Sequence, residues 1–256
     1  MRKLAIALGV ICLTAVRAED PPAPAISAQE LAGRLNAAVQ GSAQIRTQLE
    51  VRTLAGSRRA LQLQIKQRRT KTATDLAYRV LWPNELRDQV VLLHQDAGRA
   101  PTGSIIIPHQ PVRAIEKSQM GDGLFDSDLA YQDAVENVYG WKEQAIVGSE
   151  PINGVNCQIL ESKPGGSSLS IYAKVRSWID PRRLVPLRIE KYSSSGELIR
   201  RIDITRVARD EKHQPIPSNL TVHGPRKNTV TEFNGARIDQ DVNFTDADFT
   251  PAGVLH

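Results

Sequence analysis

The chain has 256 residues, of which 24% are charged and 5% are aromatic, and its formal net charge is +5. This length is enough for one domain with a sizeable core. The basic excess is mild and interspersed, which excludes the concentrated basic surface of a nucleic-acid-binding protein.

The N-terminus has the layout of an export signal. Arg2 and Lys3 precede an apolar run over residues 4–16, which is too short to span a bilayer. Small residues then surround a cleavage position after Ala18. We therefore predict that residues 1–18 are a signal peptide that is removed, and that the mature protein is soluble and periplasmic.

The remaining chain is predicted to be a Pro-rich leader at residues 19–26 followed by a single domain at 27–256. It contains 30 basic and 28 acidic residues, so the mature protein is almost neutral. Its lone cysteine, Cys157, excludes an intramolecular disulfide and is expected to pack as a small apolar residue.

One helix is predicted at the start of this domain. Ser27 and Glu30 form an S-x-x-E capping box, and Gly41 stands where a helix would end. One apolar face between them is formed at helical spacing by Leu31, Leu35, Ala38 and Val39.

Beyond Gly41 the pattern changes to alternation, which is typical of strands. Strand-like segments joined mostly by short polar connections occur at residues 49–52, 61–66, 76–82, 90–93, 105–107, 112–115, 144–147, 155–160, 169–178, 187–190, 198–207, 220–222 and 229–233. Residues 121–139 interrupt them. There, Asp126, Ser127 and Asp128 are predicted to cap a short helix carrying Leu129, Ala134, Val135 and Val138.

These segments amount to about ten strands in an antiparallel meander, because short turns join only antiparallel neighbours. A sheet of that size curls strongly, which favours a barrel or half-barrel with the helices over its concave face. The predicted fold class is therefore mainly β with covering helices (α+β).

The sequence contains no recognisable arrangement of catalytic nucleophile and base, and no phosphate-binding loop, metal-ligand spacing or cofactor motif. We expect neither an enzyme nor a cofactor. The densest basic stretch, residues 58–71, is interpreted either as a contact for lipid head groups or an acidic partner, or as the solvated face of a hairpin.

Two strands carry apolar faces that suggest an interior. Tyr78, Val80 and Trp82 share one strand face, as do Leu63 and Ile65 on the preceding strand. Such faces line either a fully packed core or an incompletely filled cavity for an apolar ligand, and the sequence leaves both alternatives open.

The sequence also resembles a known family. Residues 121–133, G-D-G-L-F-D-S-D-L-A-Y-Q-D, are similar to the G-S-D-F-S-Y-E-D segment of the LolA-like outer-membrane lipoprotein-sorting family. Further similar motifs follow in the same order at residues 147–161, 172–181, 186–196 and 248–255, so the resemblance covers about residues 45–255.

The resemblance implies an open half-barrel of LolA/LolB type that carries the acyl chains of a lipoprotein, or another lipid, between envelope membranes. A membrane transporter or an outer-membrane acceptor would then be a partner. The predicted cavity is lined by Leu63, Ile65, Tyr78, Val80 and Trp82, and the N-terminal helix with Leu31 and Leu35 would cover it. The alternative function is an envelope protein-interaction or sensor module on the same fold without lipid cargo.

Overall fold

The computed structural model describes residues 26–166, 169–210, 213–226 and 228–254. The predicted signal peptide and most of the Pro-rich leader lie outside these residues. Within this part of the chain, no helix has the length and apolar character needed to cross a membrane.

The described residues form two α-helices and one large sheet. The helices are α1 (Ala28–Ala38) and α2 (Tyr131–Val135). The thirteen strands, β1 to β13 in chain order, are Gly41–Thr53, Arg58–Arg69, Ala73–Trp82, Val90–Asp96, Thr102–Ile106, Arg113–Ala114, Glu143–Ile152, Val155–Lys163, Lys174–Asp180, Val185–Tyr192, Leu198–Arg209, Pro215–His223 and Thr229–Gln240.

The sheet is antiparallel, curved and open. From one edge to the other its order is β6-β5-β4-β3-β2-β1-β13-β12-β11-β10-β9-β8-β7. It therefore consists of two meanders, β1–β6 and β7–β13, which meet where β1 pairs with β13 from Ala43↔Gln240 to Thr53↔Thr229. The predicted half-barrel class is confirmed, but a single continuous meander is wrong, because this central pairing joins opposite ends of the domain.

The strands follow from the alternation in the sequence. In the β1–β2 hairpin, Ile45 faces Ile65 and Leu49 faces Leu61, so matching apolar residues share one face. The hairpin turns at Gly56, whose φ of +89° favours glycine. One predicted segment begins too early: the strand expected at residues 169–178 starts only at Lys174.

Helix α1 begins as predicted but lies over a different part of the sheet. The Ser27 hydroxyl accepts the Glu30 N–H at 3.1 Å, which caps the first turn. Buried Leu31 and Leu35 pack against Leu160 of β8 and Ile179 of β9. The helix therefore covers the second meander, far in sequence from β2 and β3.

We call the sheet face that carries Leu63 and Val80 the inner face. The opposite, outer face of the first meander is covered by the C-terminal segment at residues 245–254. There Val254 and Phe249 contact a cluster of apolar residues, and Lys66 Nζ lies 2.9 Å from Asp248 Oδ1. Both faces of this half of the sheet are thus buried.

Candidate functional site

The inner face of the sheet carries a continuous apolar surface, which we call the basin. It is formed by fourteen buried side chains from seven strands: Leu49, Val51, Leu61, Leu63, Ile65, Leu76, Tyr78, Val80, Val91, Leu93, Ile202, Ile204, Val222 and Phe233. Because the contributing strands belong to both meanders, the basin extends across the β1–β13 junction.

The basin is covered by residues 115–139, which cross from β6 towards β7 and which we call the plug. Seven buried plug side chains pack into the basin: Ile115, Met120, Leu124, Leu129, Tyr131, Ala134 and Val135. The plug backbone is folded tightly, since a Cβ added to Gly123 would lie 2.0 Å from the Ser127 carbonyl oxygen. The basin is therefore filled by the chain itself.

Four of the seven predicted lining residues lie together in the basin. Leu63 pairs with Val80 and Ile65 with Tyr78 across β2 and β3, and all four are buried. Whether they bind a ligand stays a prediction.

The other three predicted lining residues lie elsewhere. Trp82 is 50% exposed, because a register shift between Gln62 and Leu63 sets Trp82 opposite Gln62 and ends the inward alternation. Leu31 and Leu35 belong to the separate α1 cluster, so α1 does not cover the basin.

The predicted capping of the plug helix is wrong in detail. Helix α2 begins at Tyr131, and the Ala130 N–H donates to Asp133 Oδ2 at 2.7 Å. Asp128 instead accepts hydrogen bonds from the hydroxyls of Thr229 and Thr231 in β13, at 2.7 and 2.8 Å. Satisfying these buried hydroxyls, rather than a helix terminus, is the role of the Asp128 carboxylate.

A buried ionic cluster, which we call the latch, connects the plug to β10 and β11. Asp133 Oδ1 lies 2.8 Å from Lys191 Nζ, and Asp133 Oδ2 lies 3.1 Å from Arg200 Nε. Glu136 Oε2 lies 3.8 Å from the same Lys191 ammonium. The Tyr172 hydroxyl donates to Asp133 Oδ1 at 2.8 Å.

The two carboxylates of the latch differ in their pKa shifts. For Asp133, burial would raise the pKa, but Lys191 and Arg200 outweigh burial and hold it below its ordinary value. For Glu136, burial dominates and raises the pKa. Among the described residues, Glu136 Oε2 has no hydrogen-bond donor, which is consistent with a weaker hold on its charge.

The plug is also attached to β2. Arg69 donates to the carbonyl oxygens of Ala134 and Val135 at 2.9 and 3.3 Å, so it caps the C-terminal end of α2. Arg59 donates to the Phe125 carbonyl oxygen at the other end of the plug. The plug is thus held by polar contacts to both meanders, and its apolar side chains fill the space between them.

The sequence analysis did not identify the latch, although a signal was present. Arg200 shares its strand face with Ile202 and Ile204, which are buried in the basin. A basic residue at an inward position of a strand needs a buried acidic partner, because an unpaired buried charge is costly. Asp133 and Glu136 were the available carboxylates in the inserted segment.

The basic stretch at residues 58–71 is largely neutralised within the chain. Arg58 pairs with Glu50 at 2.5 Å, Lys66 with Asp248, and Arg68 with Asp75 at 2.8 Å. Among the residues that the structure describes, no group of three or more His, Cys, Asp or Glu is placed to hold a metal ion. The chemistry of the basin is therefore apolar contact, bounded by fixed charges.

Comparison with solved structures defines the fold. The structure superposes on a putative outer membrane lipoprotein-sorting protein domain from Vibrio parahaemolyticus with a TM-score of 0.80 and 17% identity, covering 89% of this chain and 97% of that one. A DUF1329 family protein from Desulfovibrio piger gives 0.78 and 17%, covering 88% and 96%. A LolA superfamily protein from Nitrosomonas europaea gives 0.71 and 16%, covering 88% and 98%.

These likenesses define the class as proteins with the LolA-like half-barrel. A family model described as "Uncharacterized protein" matches residues 74–254, more than half of the chain. The chain belongs to this LolA-like family, as the sequence resemblance predicted. No curated protein matches it.

Proposed function

We propose that the chain is a carrier of the periplasm that binds the acyl chains of a lipoprotein, or another lipid, in the basin and helps to move it between envelope membranes. The observation that carries this proposal is the composition of the basin, fourteen apolar side chains covered by an inserted segment that is not part of the sheet. Displacing the plug would expose the basin while leaving the strand pairing intact.

The energetics of exchange are balanced. Undocking the five large aliphatic plug side chains, Ile115, Met120, Leu124, Leu129 and Val135, costs about 1.5–3 kcal/mol each. A saturated chain of about fifteen methylenes gains roughly 12 kcal/mol on leaving water, at about 0.8 kcal/mol per CH₂. An acyl chain is therefore an adequate replacement for the plug.

The experiment is native mass spectrometry of protein purified from the periplasm, with solvent extraction of any adduct. Wild type is compared with Val80→Asp, which places a charge in the basin, and with Ala77→Asp, which places the same charge on the buried outer face of the same strand. We expect lipid on wild type and on Ala77→Asp, and none on Val80→Asp. Persistence of lipid on Val80→Asp contradicts the proposed lining. If the Asp variants do not fold, Val80→Ser and Ala77→Ser provide the same comparison.

The second candidate function is an envelope protein-interaction or sensor module with no lipid cargo. The observation that favours it is that the plug fills the basin in this structure. Strand β7 offers a surface for such a role, since it pairs with β8 alone and is exposed over most of its length. A lipid-free wild-type mass that stays unchanged after incubation with lipids supports this candidate.

A further inference from the structure

A polar pocket of about 330 Å³ lies beside the plug, where the turns of both meanders meet α1. Its walls come from the β2–β3 turn, the β4–β5 turn, the α1 residue Asn36 and the region around Trp141 that leads into β7. Asn137, which follows α2 directly, also lines it and donates to Asn36 at 2.7 Å. Segments far apart in the sequence thus converge on one cavity.

The pocket has an excess of positive charge. Lys71, Arg99 and Lys142 line it, against one carboxylate, Asp96. Asp96 is already engaged, with Arg99 at 3.7 Å and with His94 at 3.3 Å. Neither Lys71 nor Lys142 has an ion pair within the described parts of the chain. Further hydrogen-bonding groups in the wall are contributed by Asn36, Thr70, Thr72, Thr74, Gln95 and Asn137.

A second feature of the pocket wall points to an anion. Buried Thr74 lines the pocket, and its hydroxyl lies 3.5 Å from Arg69 Nη1. The Arg69 guanidinium is satisfied only by neutral oxygens, chiefly the Ala134 and Val135 carbonyls, with no carboxylate partner among the described residues. Burial lowers its pKa for the same reason. A partly buried cation without a counter-ion adjoins the wall.

We propose that this pocket binds a phosphate ester, carried either on a lipid headgroup or on a soluble molecule. Converging cations, hydroxyls and amides suit a tetrahedral group with several acceptor oxygens and at least one negative charge. For a lipid source the proposal deepens the proposed function and rests on it, with the headgroup in the pocket and the acyl chains in the basin. For a soluble source it stands without that function.

The test uses isothermal titration with two probes and their phosphate-free counterparts. The soluble probe is glycerophosphorylglycerol, compared with glycerol. The lipid probe is dihexanoyl phosphatidylglycerol below its micellar concentration, compared with dihexanoylglycerol. The pocket variant is Lys71→Gln/Arg99→Gln/Lys142→Gln. The matched control, Lys117→Gln/Arg182→Gln/Arg206→Gln, removes three exposed charges outside the pocket lining.

We expect a phosphate probe to bind wild type and the control equally, and the pocket variant about tenfold or more weakly. Binding of the soluble probe shows that the ester alone suffices. Binding of the lipid probe alone, with the same dependence on the variants, identifies a headgroup site. The proposal is overturned if neither phosphate probe binds, or if both variants lose affinity equally. A soluble probe that binds in the pocket of a protein that never carries lipid sinks the carrier function but retains this site.

Discussion

Replacing Asp133 by asparagine removes one of the two carboxylates that balance Lys191 and Arg200 beneath the plug. The Asp133 side chain is fully buried, and its two oxygens lie 2.8 and 3.1 Å from those cations. Removing one partner of a buried ion pair costs about 3–5 kcal/mol, because the remaining charge is left without compensation. Asparagine keeps the size of the side chain and an acceptor for the Ala130 N–H, so the loss reports charge.

Because the latch joins the plug to the sheet, we expect this loss to appear as opening of the plug. A change of about 3 kcal/mol makes the open form roughly 100-fold more populated. Hydrogen exchange measured by mass spectrometry should accelerate by that factor over residues 120–139, while amides in the centre of β2 keep their protection.

The matched control is Asp203→Asn. Asp203 lies 2.8 Å from Arg188 and 2.7 Å from Arg201 but is more exposed, so its loss should cost at most about 1 kcal/mol and leave plug exchange unchanged. In the double variant Asp133→Asn/Lys191→Met, one cation and one anion are both removed, and about half of the lost protection should return. If exchange of the plug is the same in Asp133→Asn as in wild type, the latch does not hold the plug.

Three further substitutions test the assignment of buried groups. Burial raises the pKa of Glu136 above 4.5, so wild type should gain stability as pH falls from 8 towards 5, whereas Glu136→Gln lacks this gain and is about 1 kcal/mol more stable than wild type at pH 8; urea unfolding at both pH values measures the difference. The hydrogen bond from Lys66 lowers the pKa of Asp248 to about 2, so its contribution of up to about 1 kcal/mol should be present at pH 5, fall away between pH 3.8 and 2, and be missing at every pH in Asp248→Asn. Tyr78→Ala should cost about 3–5 kcal/mol and Trp82→Ala about 0.5, and equal thermal shifts would contradict their opposite burial.

The strands were predictable because each is encoded locally. Alternation set the face of Leu63 and Ile65, and the turn at Gly56 set the β1–β2 register. The pairing of β1 with β13 was not predictable in this way, since it joins residues almost two hundred positions apart and no turn specifies it. The resemblance to the LolA-like family supplied what local rules could not, the open curved sheet.

The candidate site was only partly predictable. Alternation continues in sequence to Trp82, but the bulge that turns this residue outward depends on its pairing with Gln62. The position of α1 depends on Leu160 and Ile179, whose place in the sheet follows from the long-range topology. The filling of the basin likewise depends on how residues 115–139 fold back, which no periodicity indicates.

The requirement that the plug opens can be tested by stapling it shut. A Cβ placed on Gly224 lies 3.0 Å from the Cβ of Asp128, close to the mean separation of about 3.8 Å in a disulfide. In the variant Asp128→Cys/Gly224→Cys, the oxidised form should be unable to take up lipid. The reduced form, which lacks the Asp128 contacts to Thr229 and Thr231, should take it up at least as fast as wild type.

The staple separates the two candidate functions because one protein sample provides both states. Uptake of a fluorescent acyl chain is followed before and after reduction, and the single variant Gly224→Cys shows whether the reductant itself alters uptake. Restoration by reduction assigns the basin as the acyl-chain site, since the staple lies on the plug and not in the pocket beside Trp141. Equal uptake in both states means that the acyl chain binds elsewhere. In that case the fourteen apolar side chains of the basin are a packed core, and the surface to examine for function is the exposed strand β7.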